Sequence, residues 1–180
     1  NIGVSQMAIA SRVRQELGSG KLTSGTYSGQ LYSCVSGNYT TRYGITYNGN
    51  SLDSYYNFFN IAAYDGSNVT QKALIYAFNH GWGGTGNMDA DRQTAMNGGT
   101  DFINKNYVGV GQDTAYYQKF NIFPDNSEKR YLHPYMTNVK APESEAAIMY
   151  NAYKAVGMLE SSFNFIIPVY ANMDENYNPG

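Results

Sequence analysis

The sequence predicts a mainly helical domain carrying a small β lobe, an α+β arrangement. Two observations carry that expectation. Apolar residues recur at helical spacing near both ends of the chain, over 5–18 and 141–156. Between them, residues 21–56 are rich in Gly, Ser, Thr, Asn and Tyr with little helical period, and they alternate only in Tyr43-Gly44-Ile45-Thr46-Tyr47. At 180 residues the chain is long enough to bury a real core and short for two, so one domain over 1–180 is expected.

The first helix is expected over 5–18, with Ser5 as N-cap, Met7, Ile9, Ala10, Val13 and Leu17 as its apolar set and Gly18 as its stop. Glu16 then falls in the last turn, where the negative end of the helix dipole pushes a carboxylate toward its protonated form. A carboxyl held neutral can donate a proton. The plain alternative is an i,i+4 surface contact with Arg12. Against it stands the following GSGKLTSGTYSG, whose glycines turn the chain sharply and leave the helix end open to a cleft.

In the β lobe, Asn48-Gly49 is a strong hairpin turn, and Asp53 is the one carboxylate of the stretch. Asp53 reads equally as a turn residue before Ser54. In YYNFFNIAAYDG, residues 55–66, Phe58, Ile61 and Ala62 suit a core, whereas Asn57 and Asn60 require polar partners, either backbone or ligand. A second helix is expected over 67–80, ended by Gly81, with Trp82 after it as a packing anchor. The glycines of GWGGTGN lack the strand, the Lys and the spacing of a phosphate loop.

Asp89 is expected to cap a helix through Ala95, the Gly98-Gly99 pair to interrupt it, and residues 100–107 to resume it. A turn and short helix follow from Gly109, then a polar loop over 125–130. The helix over 141–156 has Pro142 at its first position, Glu143 and Glu145 at its positive end, a buried stripe of Ala146, Met149, Tyr150 and Tyr153, and Gly157 as its stop. The segment FNFIIPVYANM reads as extended, with Pro168 restricting it to an edge or an irregular tail.

A net charge of −2 gives no footprint for nucleic acid or an anionic membrane surface, and neither is expected as a partner. Eighteen Tyr against one Trp, with abundant Asn, Gly, Ser and Thr, make surfaces that stack on apolar faces and hydrogen-bond at their edges, which suits a sugar polymer. Cys34 is the only cysteine and His80 and His133 the only histidines, so neither an internal disulfide nor a ligand-spaced metal cluster is expected. No apolar run reaches the length of a membrane span. The chain starts almost inside a helix, which suggests a module cut from a longer protein whose export signals lie elsewhere.

Four blocks in order, RVRQELGSGKLTSG, YNFFNIAAYDG with HGW behind it, GGTDFINKNYVGVGQDTAYYQKFN and HPYMTNVKAPESEA, resemble the catalytic domain of bacterial endo-β-N-acetylglucosaminidases. These are the glucosaminidase-type autolysins, glycoside hydrolase family 73, of clostridial and other Gram-positive cell walls. The resemblance runs over nearly the whole chain. It implies a lysozyme-like helical fold with a small β lobe beside the substrate groove, and cleavage of the bond after N-acetylglucosamine in peptidoglycan. It implies a secreted, cell-wall-associated enzyme without cofactor or metal, acting on glycan strands and monomeric.

Residue by residue, the resemblance implies Glu16 as general acid, Tyr107 as an active-site tyrosine, Asn57 and Phe59 as the segment beneath the sugar, and Tyr135 as an aromatic of the groove. The resemblance makes Asp53 the candidate second catalytic group, guiding a water, but some relatives carry a Glu in the β lobe where this chain offers only Asp53, a departure that favours attack by the substrate's own 2-acetamido oxygen. His133, before a proline, is expected to make a structural hydrogen bond. Muramidase or lytic transglycosylase activity on the same fold, or a peptidoglycan-binding module without chemistry, are the alternatives.

Overall fold

The computed structural model describes residues 3–17, 21–23, 26–28, 44–64, 66–122, 130–135, 138–164 and 172. Gly18 with most of the glycine-rich turn after it, Cys34, residues 125–129 of the polar loop and the extended segment around Pro168 lie outside them. Among the described residues five α-helices dominate: α1 (Gln6–Leu17), α2 (Val69–Asn79), α3 (Met88–Asn106), α4 (Ala115–Phe120) and α5 (Ala141–Ala155). Two antiparallel hairpins form the β part, β1 (Lys21–Thr23) with β2 (Thr26–Ser28), and β3 (Thr46–Tyr47) with β4 (Asn50–Ser51). This is the mainly helical architecture with a small β lobe that the sequence predicts.

In the second hairpin Thr46 pairs with Ser51 and Tyr47 with Asn50. Asn48 and Gly49 make the two-residue turn with φ of 50° and 77°, the left-handed pair that matches strand twist. The chain then runs through Tyr55, which bridges to Gly83, and Tyr56, whose N–H donates to the Trp82 carbonyl at 3.1 Å. That stitch brings the 55–61 segment against the end of α2.

The core gathers on this segment: Tyr56, Phe59, Ile61, Ala77, Trp82, Ala95, Ile103 and Tyr107 are buried together. Trp82 is the packing anchor that the sequence suggests, with Tyr76 edge-on at 5.3 Å between ring centroids. Asn87, not Asp89, caps α3, its side chain accepting from Ala90 N–H at 3.2 Å. Asp91 is turned inward instead, accepting from the N–H and hydroxyl of Thr85, which ties the glycine-rich loop to the first turn of α3.

The Gly98-Gly99 pair does not interrupt α3, contrary to expectation. The helix is continuous because Trp82 lies against Gly98 and Phe59 against Gly99, so the pair serves close approach and the packing offsets its poor helix propensity. A Cβ at Gly99 would overlap the Phe59 ring. Gly99→Ala is therefore expected to destabilise by roughly 1–2 kcal/mol, overpacking outweighing the gain of about 1 kcal/mol in propensity. Calorimetry should find Tm lower by several degrees; an unchanged or higher Tm would show that the ring yields freely.

The two terminal helices pack against each other in a different rotation from the one expected. In α1 the buried residues are Ser11 and Arg12, while Ala10 is exposed. In α5 the buried residues are Ala141 and Glu145, while Ala146 and Tyr150 face out. Both rotations have one cause. Arg12 and Glu145 form an ion pair, Nη2 to Oε2 at 2.8 Å, with both side chains 4% exposed. The alternative in which Arg12 is a surface partner of Glu16 is thus excluded.

Candidate active site

Glu16 sits in the last turn of α1, half-buried, where the helix leaves carbonyls without intrahelical partners. The Asn60 side chain reaches this end from the turn after the aromatic segment. Its Nδ2 donates to the Glu16 carbonyl at 2.8 Å and to Glu16 Oε2 at 3.2 Å. Burial pushes the Glu16 carboxyl above the usual carboxylate range, and Glu145 adds to that. Arg12 and the Asn60 hydrogen bond pull the other way without reversing it. The direction expected from the helix end is therefore present, but its leading cause is desolvation.

Arg12 lies one turn before Glu16 and is 3% exposed. Its Nη2 donates to Gln118 Oε1 from α4 and to Glu145 Oε1 from α5, the latter at 2.9 Å. Its guanidinium carbon lies 4.0 Å from the centroid of the Tyr135 ring. Burial alone would lower the pKa of the guanidinium, but Glu145 and Tyr135 outweigh it and hold the group firmly charged.

Tyr135 and Tyr107 complete the wall. Tyr135 is held by its N–H on the Gln118 carbonyl at 2.8 Å and by its hydroxyl, which donates to the Phe59 carbonyl at 3.3 Å. Burial, and next the nearby Glu16 carboxylate, push its phenol far above the ordinary range. Tyr107 is 7% exposed at the end of α3, edge-on to Tyr135 at 5.0 Å and stacked on the His133 ring at 4.6 Å. Burial raises its pKa as well, with Arg12 opposing. Both phenols stay protonated over the working pH range and remain hydrogen-bond donors.

His133 plays the structural part expected of it. Its Nδ1 lies 3.1 Å from Gln112 Oε1, and Gln112 Nε2 donates to the His133 carbonyl at 3.1 Å. Stacked on Tyr107, it fixes the plane of that ring.

No family model matches the chain. The bifunctional autolysin of Staphylococcus epidermidis is 29% identical over 168 residues, 93% of this chain and 11% of that protein. The bifunctional autolysin of Staphylococcus aureus is 31% identical over 121 residues, 67% of this chain and 8% of that protein. Among solved structures, a catalytic glutamate-to-alanine mutant of S. aureus autolysin E in complex with the disaccharide NAG-NAM matches with a TM-score of 0.54 and 26% identity, over 84% of this chain and 53% of that one. These similarities bear out the resemblance to the glucosaminidase-type autolysins. The chain spans about a tenth of the length of the curated relatives it matches.

Within this fold, Glu16, Tyr135 and Tyr107 come together, linked through Arg12. The other three expected residues stand apart from the wall. Asn57 is fully buried, and its amide is spent on backbone: Nδ2 donates to the Ile61 and Ala73 carbonyls at 2.8 and 3.0 Å, and Oδ1 accepts from Ile61 N–H. Phe59 is 2% exposed, in the core under α3. Neither side chain is placed to touch a sugar; both hold the turn that presents Asn60. Asp53 sits in the second hairpin, where Oδ1 accepts from Gly44 N–H at 3.1 Å and its own N–H donates to Ser51 Oγ at 3.3 Å. That is the turn role its neighbours suggest.

Arg12, Gln118, Glu145 and Asn60 are the site residues that sequence reasoning missed. Asn60 had a signal, since an amide among aromatics must find polar partners. Among the described residues no helix is long and apolar enough to cross a membrane, and no cluster of three His, Cys, Asp or Glu could hold a metal ion.

Proposed function

We propose that this chain hydrolyses peptidoglycan glycan strands at the bond between N-acetylglucosamine and N-acetylmuramic acid, acting at the cell wall as a secreted enzyme, with Glu16 as general acid. The observation that carries the reading is the Glu16 carboxyl itself, raised by burial and held at a helix end near the Tyr135 phenol. The disaccharide bound by the mutated autolysin E supports the substrate, and the alanine in that mutant supports a glutamate as the catalytic group.

Glu16 delivers its proton to the glycosidic oxygen as the bond to the anomeric carbon breaks. The carbonyl oxygen of the 2-acetamido group attacks that carbon, closing an oxazolinium ring in place of an enzyme-bound intermediate, an exception to the two-carboxylate scheme. The Glu16 carboxylate then takes a proton from the water that reopens the ring, and the acid is restored. Tyr107 supplies a hydroxyl to orient the acetamide and steady the developing charge, and Tyr135 lines the groove. A route with Asp53 guiding the water would require that carboxylate to leave Gly44 N–H, so the acetamide route is favoured.

Digestion of purified peptidoglycan, borohydride reduction and mass spectrometry of the new ends test this. Reduced glucosamine is expected. Reduced muramic acid would make the chain a muramidase, 1,6-anhydro ends a lytic transglycosylase, and absence of fragments a binding module.

A further inference from the structure

Asn60 occupies a left-handed backbone conformation, with φ of 50°, which Asn tolerates better than other side-chain-bearing residues. From there one NH2 group spans two acceptors on the same residue, the Glu16 carbonyl and Oε2. Both contacts accept, so the amide nitrogen must face Glu16, and Oδ1 points into a buried place where it has no partner among the described residues. An orphaned buried oxygen is costly, and the structure tolerates it on the side away from the carboxyl.

We infer that Asn60 is a positioning residue for the general acid: it pins backbone and carboxyl of Glu16 with a single amide and, by donating only, favours the ionised form against burial. The inference deepens the reading of Glu16 above and rests on it. The charged and titratable groups facing Glu16 are Arg12 from its own helix, Glu145 from α5 and Tyr135 from the 130–135 segment. Arg12 is committed to Glu145 and Gln118, and Tyr135 to the Phe59 carbonyl. Among the described residues, Asn60 is therefore the donor that meets the carboxyl directly.

Two variants test this. Asn60→Gly removes the amide but keeps a residue at ease with positive φ. Asn60→Asp keeps size and backbone tolerance but turns the donor into a carboxylate facing Glu16. The titration of the Glu16 carboxyl, followed by carbon NMR, is expected to move to higher pH in Asn60→Gly and further in Asn60→Asp. The alkaline limb of kcat should move in the same order. On the low-pH plateau, Asn60→Gly should lose kcat by on the order of tenfold with KM little changed, since the carboxyl is no longer posed. An unmoved titration midpoint in both variants, or an unmoved plateau kcat, would overturn the inference. Should Glu16→Gln keep full turnover, the general-acid reading fails while the NMR midpoints still decide whether Asn60 governs that carboxyl.

Discussion

Glu16→Gln is expected to cut peptidoglycan cleavage by roughly 10²- to 10⁴-fold, the range a positioned general acid contributes, while glycan-strand binding persists. Gln keeps the shape and an oxygen for Asn60 but carries no proton for the leaving oxygen. The same substitution bears on stability. Because burial raises the Glu16 pKa in the folded state, folding favours the neutral form. That preference adds stability below the unfolded pKa and is lost as pH rises through the folded one. Above that raised pKa the wild-type protein thus holds a carboxylate in a place suited to a neutral group. Glu16→Gln should consequently be at least as stable as wild type there, with the difference shrinking in acid. Turnover assays and melting curves over a pH series check both halves; full cleavage by the variant would remove Glu16 from the mechanism. The wild-type rate should in turn fall as pH rises through the raised Glu16 pKa, because the acid form is consumed.

Breaking the pair between the terminal helices is expected to be the most damaging change to the fold. Glu145→Leu strands a buried guanidinium, and Arg12→Met strands a buried carboxylate; either should cost roughly 3–5 kcal/mol. For a domain of this size that is a Tm loss on the order of 10 °C. The double variant Arg12→Met/Glu145→Leu removes both charges and should recover much of the loss, since an apolar replacement of a buried pair is often neutral. Activity should not recover with it, because Tyr135 loses the cation beneath its ring. Thermal melts and turnover of the three proteins decide this. Additive losses in the double variant would show that the two residues act independently.

The helices were legible in the sequence because each carries its own punctuation. Pro142 starts α5, Asn48-Gly49 folds the hairpin, and apolar spacing marks α1 and α2. Glu16 was legible for the same reason, since its place in the last turn is a local fact. What local pattern could not tell was which face turns inward. Hydropathy assigned Ala10, Ala146 and Tyr150 to the core, whereas pairing across 133 residues put Arg12 and Glu145 there. Helix propensity likewise broke α3 at Gly98-Gly99, because only the arrival of Trp82 and Phe59 reveals what the missing side chains are for. Asn57 and Asn60 show the limit most plainly. The need for polar partners was readable, but that Asn57 would find backbone and Asn60 the Glu16 carboxyl was a matter of three dimensions.

The bond between the first helix and the last also has a consequence in time. Glu16, the proposed proton donor, lies on α1, yet the charge beneath its neighbouring tyrosine is neutralised from α5. A polypeptide emerging from its amino end makes α1 before α5, so the pairing of Arg12 with Glu145 waits until α5 has been synthesised and docked. The wall around Glu16 is thus finished by an element made well after Glu16 itself.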